Sequence, residues 1–269
     1  MKPDPRVPAE RDGLDTTGRW HAAARAGLAM AGMVLRAALL LGGASVVALV
    51  IVRLGADWLD GLDPFSAAGR SPLRPRQFAA RELALDGVRQ GILALLVLAA
   101  ARWADGPSWR RTLALTAPRN AGLPRRTLAW LLVVWPVVHI AWVTGTGAVF
   151  GAPVARNATL SPTLQAGGVI LWLATVVVLA PVAEELLMRG FVFARGLRGA
   201  GPALTILTTA VLFAGAHVNG FGLARPVSLL PLALMLGWLR WRGGRLWPCI
   251  VLHAWSNLAM IAWVLWPEG

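Results

Sequence analysis

Val169-Ile-Leu-Trp-Leu-Ala-Thr-Val-Val-Val-Leu-Ala-Pro-Val-Ala183 carries no charge, and it ends on two adjacent acids, Glu184 and Glu185. With its flanks, from about Gly168 to about Phe193, the run exceeds the ~20 residues that a helix needs to cross a bilayer. Glu184 and Glu185 are the only acids between Gly106 and Pro267. A carboxylate at bilayer depth costs roughly 2.5–3.5 kcal/mol even on lenient insertion scales. Two side by side, in a stretch otherwise free of acid, mark a site rather than a packing choice.

Six further apolar segments lie on either side of this one. They span about Met33–Val52, Leu83–Ala101, Leu128–Phe150, Ala203–His217, Val227–Leu239 and Leu246–Trp266. The spacing predicts an all-α polytopic transmembrane bundle of about seven (six to eight) spanning helices. Composition agrees: 57% of residues are hydrophobic, only 14% are charged, and mean hydropathy is +0.60. A soluble domain carries about a quarter charged residues. The net charge of +13 comes from arginines in the loops, which is the positive-inside pattern of a membrane protein and argues against a nucleic-acid partner. Cys249 is the sole cysteine, which excludes an intrachain disulfide and a cysteine cluster that would hold a metal.

The loops at 102–126, 189–202 and 240–245 hold six, three and three arginines, against one each at 151–167 and 218–226. The arginine-rich loops are therefore expected in the cytoplasm. One region resists: the 53–82 loop carries Arg53, Arg70, Arg74, Arg76 and Arg81, yet alternation puts it outside. The expected organisation is a polar cytoplasmic segment (1–28), N-terminal helices and loops (29–160) and a C-terminal core (161–269) that holds the paired acids, all within one membrane domain.

Three polar clusters interrupt the later segments. In the first, Glu185 and Arg189 stand at i, i+4, with the acid N-terminal, the favourable order for an ion pair. Glu184 lies about 100° round the helix from Glu185 and faces a different environment. The other two are Phe213 with His217, and His253 with Asn257, each again four apart. Taken singly, Phe213 is a core aromatic, Asn257 is helix–helix glue and Glu185–Arg189 is a buried structural pair. His139, alone in its segment, is expected to be a hydrogen-bonded structural residue. Together the acids and two histidines form a convergent titratable set. No Gly-x-Ser-x-Gly elbow occurs, and Cys249, although four residues before His253, is read as a small apolar residue near a helix start. A carboxylate base with His and amide donors suits activation of water for attack on a carbonyl. The same residues also suit a two-His, one-carboxylate metal site with water in the open position.

Glu-Glu-x-x-x-Arg, then Phe-x-x-x-His, then His-x-x-x-Asn resembles the CPBP family, the CAAX-processing and bacteriocin-processing proteins, also called Abi or type II CAAX prenyl endopeptidases. The segment Leu236-Gly-Trp-Leu-Arg-Trp-Arg-Gly-Gly-Arg-Leu-Trp-Pro248, leading into His253, is similar to the family's approach to its third motif. The resemblance covers roughly residues 165–262. It implies an intramembrane endopeptidase in which Glu184 is the catalytic carboxylate and His217 helps it deprotonate water. His253 and Asn257 would stabilise the oxyanion, with Glu185, Arg189 and Phe213 in support. A metalloprotease reading of the family would put zinc on Glu184, His217 and His253; a glutamate mechanism needs no cofactor. The implied partners are the lipid bilayer and a membrane-associated peptide or protein substrate. Residue usage and compact size look bacterial, which places the chain in an inner (plasma) membrane with its site reached from the cytoplasm. Two rivals remain, a peptide-binding immunity or scaffold protein of the same fold and a proton-coupled transporter. No inverted repeat favours the latter.

Overall fold

The computed structural model of the chain describes residues 16–61, 75–116, 122–152, 154, 168–218 and 222–265. Among these residues the chain forms seven principal helices: α1 (Thr16–Leu59), α2 (Pro75–Asp105), α3 (Arg125–Val149), α4 (Val169–Gly199), α5 (Gly201–Gly215), α6 (Ala224–Gly243) and α7 (Trp247–Leu265). Five of them, α1 to α4 and α7, contain stretches long and apolar enough to cross a membrane. Helix α5 is apolar but has only 15 residues, and α6 is punctuated by Arg225, Arg240 and Arg242. Seven helices therefore correspond to the seven expected segments, and five meet the requirements of a span individually. Large apolar side chains such as Leu39, Val46, Val133, Val137 and Ile170 point outward. A belt of that size suits lipid rather than water. The chain is an integral membrane protein.

Two boundaries differ from expectation. Helix α1 starts at Thr16, inside the segment read as polar, because Ala22, Ala23, Ala24, Ala26 and Ala29 give that stretch high helix propensity. The loop expected at 53–82 is shorter: α1 runs on to Leu59, and α2 opens at Pro75, a residue suited to the first helical position. Arg53 and Arg81 thus lie on helices. Arg81 donates to Asp57 Oδ1 (2.9 Å) and Asp60 Oδ2 (2.5 Å), clasping the end of α1 to the start of α2. Arg70 and Arg74, like the acids of residues 1–15, fall outside the described residues.

Lipid supplies no hydrophobic drive between helices, so close packing carries the association. Small residues permit it. At Gly196 and Gly199 of α4, an added Cβ would collide with Met33 and Thr205, and with Ala29, respectively. At Gly237 of α6 it would press on Ile206 of α5 at 3.0 Å. One core cluster joins Leu93 and Val97 of α2, Ala183 and Leu187 of α4, and Phe213 of α5. A second joins Trp135 of α3, Leu232 and Leu236 of α6, and Cys249 and Leu252 of α7. Cys249 is fully buried there.

Candidate active site

Helix α4 is not uniformly wound. Its α-helical middle, Ala180–Glu185, lies between two π-helical stretches, Ala174–Leu179 and Leu186–Val192. Such stretches concentrate at functional sites. Pro181 explains part of this. The Ala180 N–H reaches back five residues to the Thr175 carbonyl. The next rung of that ladder would run from residue 181 to the Val176 carbonyl, but proline has no N–H to give. Asn257 of α7 fills the gap, its Nδ2 donating to Val176 O at 2.8 Å. Asn257 thus secures the helix that carries both acids, and one of its two N–H donors is committed to that role.

The two acids divide as their 100° separation requires. Glu185 is fully buried, and its Oε1 accepts from Arg189 at 2.9 Å and from His253 Nδ1 at 3.1 Å. The buried Arg189 guanidinium also donates to the Ala233 carbonyl at 2.7 Å and lies 5.0 Å from the Phe213 ring centre. Arg240 donates to the Arg189 carbonyl at 2.8 Å, tying α6 to the same point. Glu184 instead lines a cavity of about 240 Å³, shared with Gln90, Met188, Phe213 and His217.

His217 lies in the turn just after α5, two residues beyond the helix end rather than within the helix as its spacing implied. The last carbonyls of a helix lack intrahelical partners. His217 Nδ1 donates to one of them, Phe213 O, at 2.7 Å. Phe213 also packs against both imidazoles, with ring centres 4.8 Å from His217 and 5.4 Å from His253. Each histidine therefore has Nδ1 held by an acceptor, a carbonyl in one case and a carboxylate in the other, and a carbonyl accepts only from an N–H. Their Nε2 atoms turn the same way. Both stand 3.9 Å from Glu184 Oε2. Those separations exceed a direct hydrogen bond, and polar groups more than about 3.5 Å apart are candidates for a bridging water. The arrangement can hold a water against a carboxylate base, with two imidazoles to orient it.

Residues 166–259 match a family model described as type II CAAX prenyl endopeptidase Rce1-like. Over that stretch the chain is similar to this family. The match contains Glu184, Glu185, Arg189, Phe213, His217, His253 and Asn257, and it leaves α1 to α3 uncovered. No curated protein and no solved structure matches the chain.

The zinc reading of this site is a matter of spacing. The donor types are suitable, and Nδ1 atoms held by acceptors are usual for metal-binding histidines. Bonds of about 2.0–2.1 Å in a tetrahedron set ligand atoms roughly 3.3 Å apart, whereas both His–Glu184 separations are 3.9 Å. Among the described residues no three His, Cys, Asp or Glu side chains are grouped to hold a metal ion. At these separations the three side chains are set too wide for zinc.

The sequence missed one member of the site. Gln90 of α2 donates through Nε2 to Glu184 Oε1 at 3.0 Å, across 94 positions of the chain. Its only sequence signal was an amide inside an apolar run, beside the more conspicuous Asp86 and Arg89, which pair with each other at 2.9 Å. His139 also departs from expectation: it is buried and stacks on Trp135 at 6.0 Å, and its Nδ1 has no hydrogen-bond partner.

Proposed function

We propose that this chain is an intramembrane endopeptidase that hydrolyses peptide bonds in membrane-associated substrates with water activated by Glu184. The observation that carries this reading is the convergence of two imidazole Nε2 atoms on Glu184 Oε2, both at 3.9 Å, beside a cavity in an otherwise apolar bundle. The match to an endopeptidase family model over residues 166–259 supports it.

In the proposed reaction Glu184 takes one proton from water while the water oxygen attacks the scissile carbonyl carbon. His217 orients the water through Nε2. The carbonyl oxygen becomes an oxyanion, which His253 and the free N–H of Asn257 stabilise. For this His253 carries protons on both nitrogens, and the Glu185 carboxylate opposite Nδ1 balances the ring's charge. Glu184 then delivers its proton to the departing amine as the C–N bond breaks, so that the products are one carboxylic acid and one amine. No cofactor enters. Arg195 and Arg198, in the last turns of α4 beyond the acids, support access from the cytoplasmic side of a bacterial plasma membrane.

The test compares the N- and C-termini of membrane peptides in cells carrying the wild-type protein or Glu184→Ala. Termini present only with the wild type are expected and identify the substrate. Identical termini, or full activity of the Glu184 variant on a cleaved peptide, overturn the assignment.

A further inference from the structure

Gln90 lies outside residues 166–259, on a helix that carries no motif. Its side chain is only 6% exposed, and its Nε2 donates to Glu184 Oε1 at 3.0 Å. Its own Oε1 is buried and has no hydrogen-bond partner. The direction of the bond follows from chemistry: a carboxylate accepts, so the amide must present Nε2 to Glu184 and leave Oε1 behind. A buried amide oxygen without a partner is a cost to folding, and a leucine of similar size would avoid it. Gln90 therefore destabilises its own surroundings in order to place one N–H on one carboxylate oxygen.

That N–H has a geometric consequence. Glu184 has two oxygens, and Gln90 engages Oε1 while both histidine Nε2 atoms face Oε2. With Oε1 tethered, rotation of the carboxylate about its last bond is restrained, and Oε2 stays toward the histidines. We propose that Gln90 is a positioning residue of the Glu184 site, holding the carboxylate so that one particular oxygen acts as the base. The N-terminal helices thereby contribute to the chemistry as well as to the walls of the cavity. This rests on the proposed hydrolytic function for its kinetic consequence, but the tether itself does not depend on turnover.

The experiment has three readouts on purified full-length protein in detergent. First, the infrared difference between wild type and Glu184→Gln isolates the carboxylate stretching band of Glu184. The same difference in a Gln90→Leu background is expected to show that band shifted by loss of one donor; an unshifted band overturns the tether, whether or not the protein is a protease. Second, on a peptide that the wild type cleaves, Gln90→Leu is expected to lower kcat by about 10- to 100-fold with little change in KM, the kinetic equivalent of one hydrogen bond to a charged group. Gln90→Glu, which sets a second carboxylate against the first, is expected to be slower still. Full activity in either variant overturns the proposal. Third, Gln90→Leu is expected to melt within roughly 2–4 °C of wild type, since relief of the orphaned oxygen offsets the lost donor to Glu184. Melting far below that range together with lost activity would mean a merely structural role. If Glu184→Gln still cleaves, the hydrolytic reading fails, while the infrared shift still decides the tether.

Discussion

Glu185 and His253 are 68 positions apart in the chain, and their side chains meet at 3.1 Å. The contact braces α7 against α4 beside Glu184, and it fixes which nitrogen His253 turns toward that carboxylate. Because Arg189 shares the same Glu185 oxygen, the brace is a buried three-residue network, and the behaviour of such networks is strongly asymmetric.

Removing one member of that network should be costly. Glu185→Ala leaves the Arg189 guanidinium charged and buried, and is expected to destabilise the protein by roughly 3–5 kcal/mol. Glu185→Leu combined with Arg189→Met removes both charges and should recover much of that loss. Thermal melts of the single and double variants in detergent check this; a double variant no more stable than Glu185→Ala contradicts it.

The two histidines should separate stability from activity. His253 is nearly fully buried and braced by a carboxylate, while the His217 side chain is 28% exposed and held by a single carbonyl. Both alanine variants are expected to lose about 10²- to 10⁴-fold in activity, the usual range for a positioned acid–base partner. Only His253→Ala should also lower the melting temperature appreciably. Equal melting temperatures would count against the brace.

Asn257 and Pro181 should be energetically coupled. Asn257→Leu strands the Val176 carbonyl, at a cost of about 1–3 kcal/mol. Pro181→Ala restores an N–H at the position from which that carbonyl lacks a donor. In the double variant the cost of losing Asn257 should shrink, and a double-mutant cycle measures the difference. Strict additivity would refute this account of the asparagine.

Chelation gives a fourth test. With His–Glu184 separations of 3.9 Å, the activity is expected to survive prolonged treatment with a strong chelator, and elemental analysis should find no stoichiometric zinc. Activity lost on chelation and regained with zinc would bring the three side chains back as ligands.

Much of this architecture was legible in the sequence because the bilayer imposes simple rules. Apolar runs of spanning length gave the helices, and i, i+4 spacing gave Glu185–Arg189 directly. What escaped depends on distance along the chain or on local winding. Gln90 reaches Glu184 across 94 positions, and no periodicity within α2 distinguishes an amide that touches the acid from one that does not. His217 was read as helical because Phe213 stands four residues before it, yet the helix ends at Gly215 and the histidine caps it from the following turn. The extent of α1 was underestimated because its first turns are polar and alanine-rich; their stability comes from backbone propensity, which a search for apolar runs does not register.

The π-helical stretches on either side of the acids bear on how such chains are to be aligned. A π turn closes its ring with one residue more than an α turn, so deleting a single residue in Ala174–Leu179 or in Leu186–Val192 would restore ordinary winding and swing the acids by about 100° relative to that flank. An insertion or deletion inside this helix is therefore a change of direction as well as of length, and two chains that spell the motif with the same letters can aim its carboxylates at different neighbours.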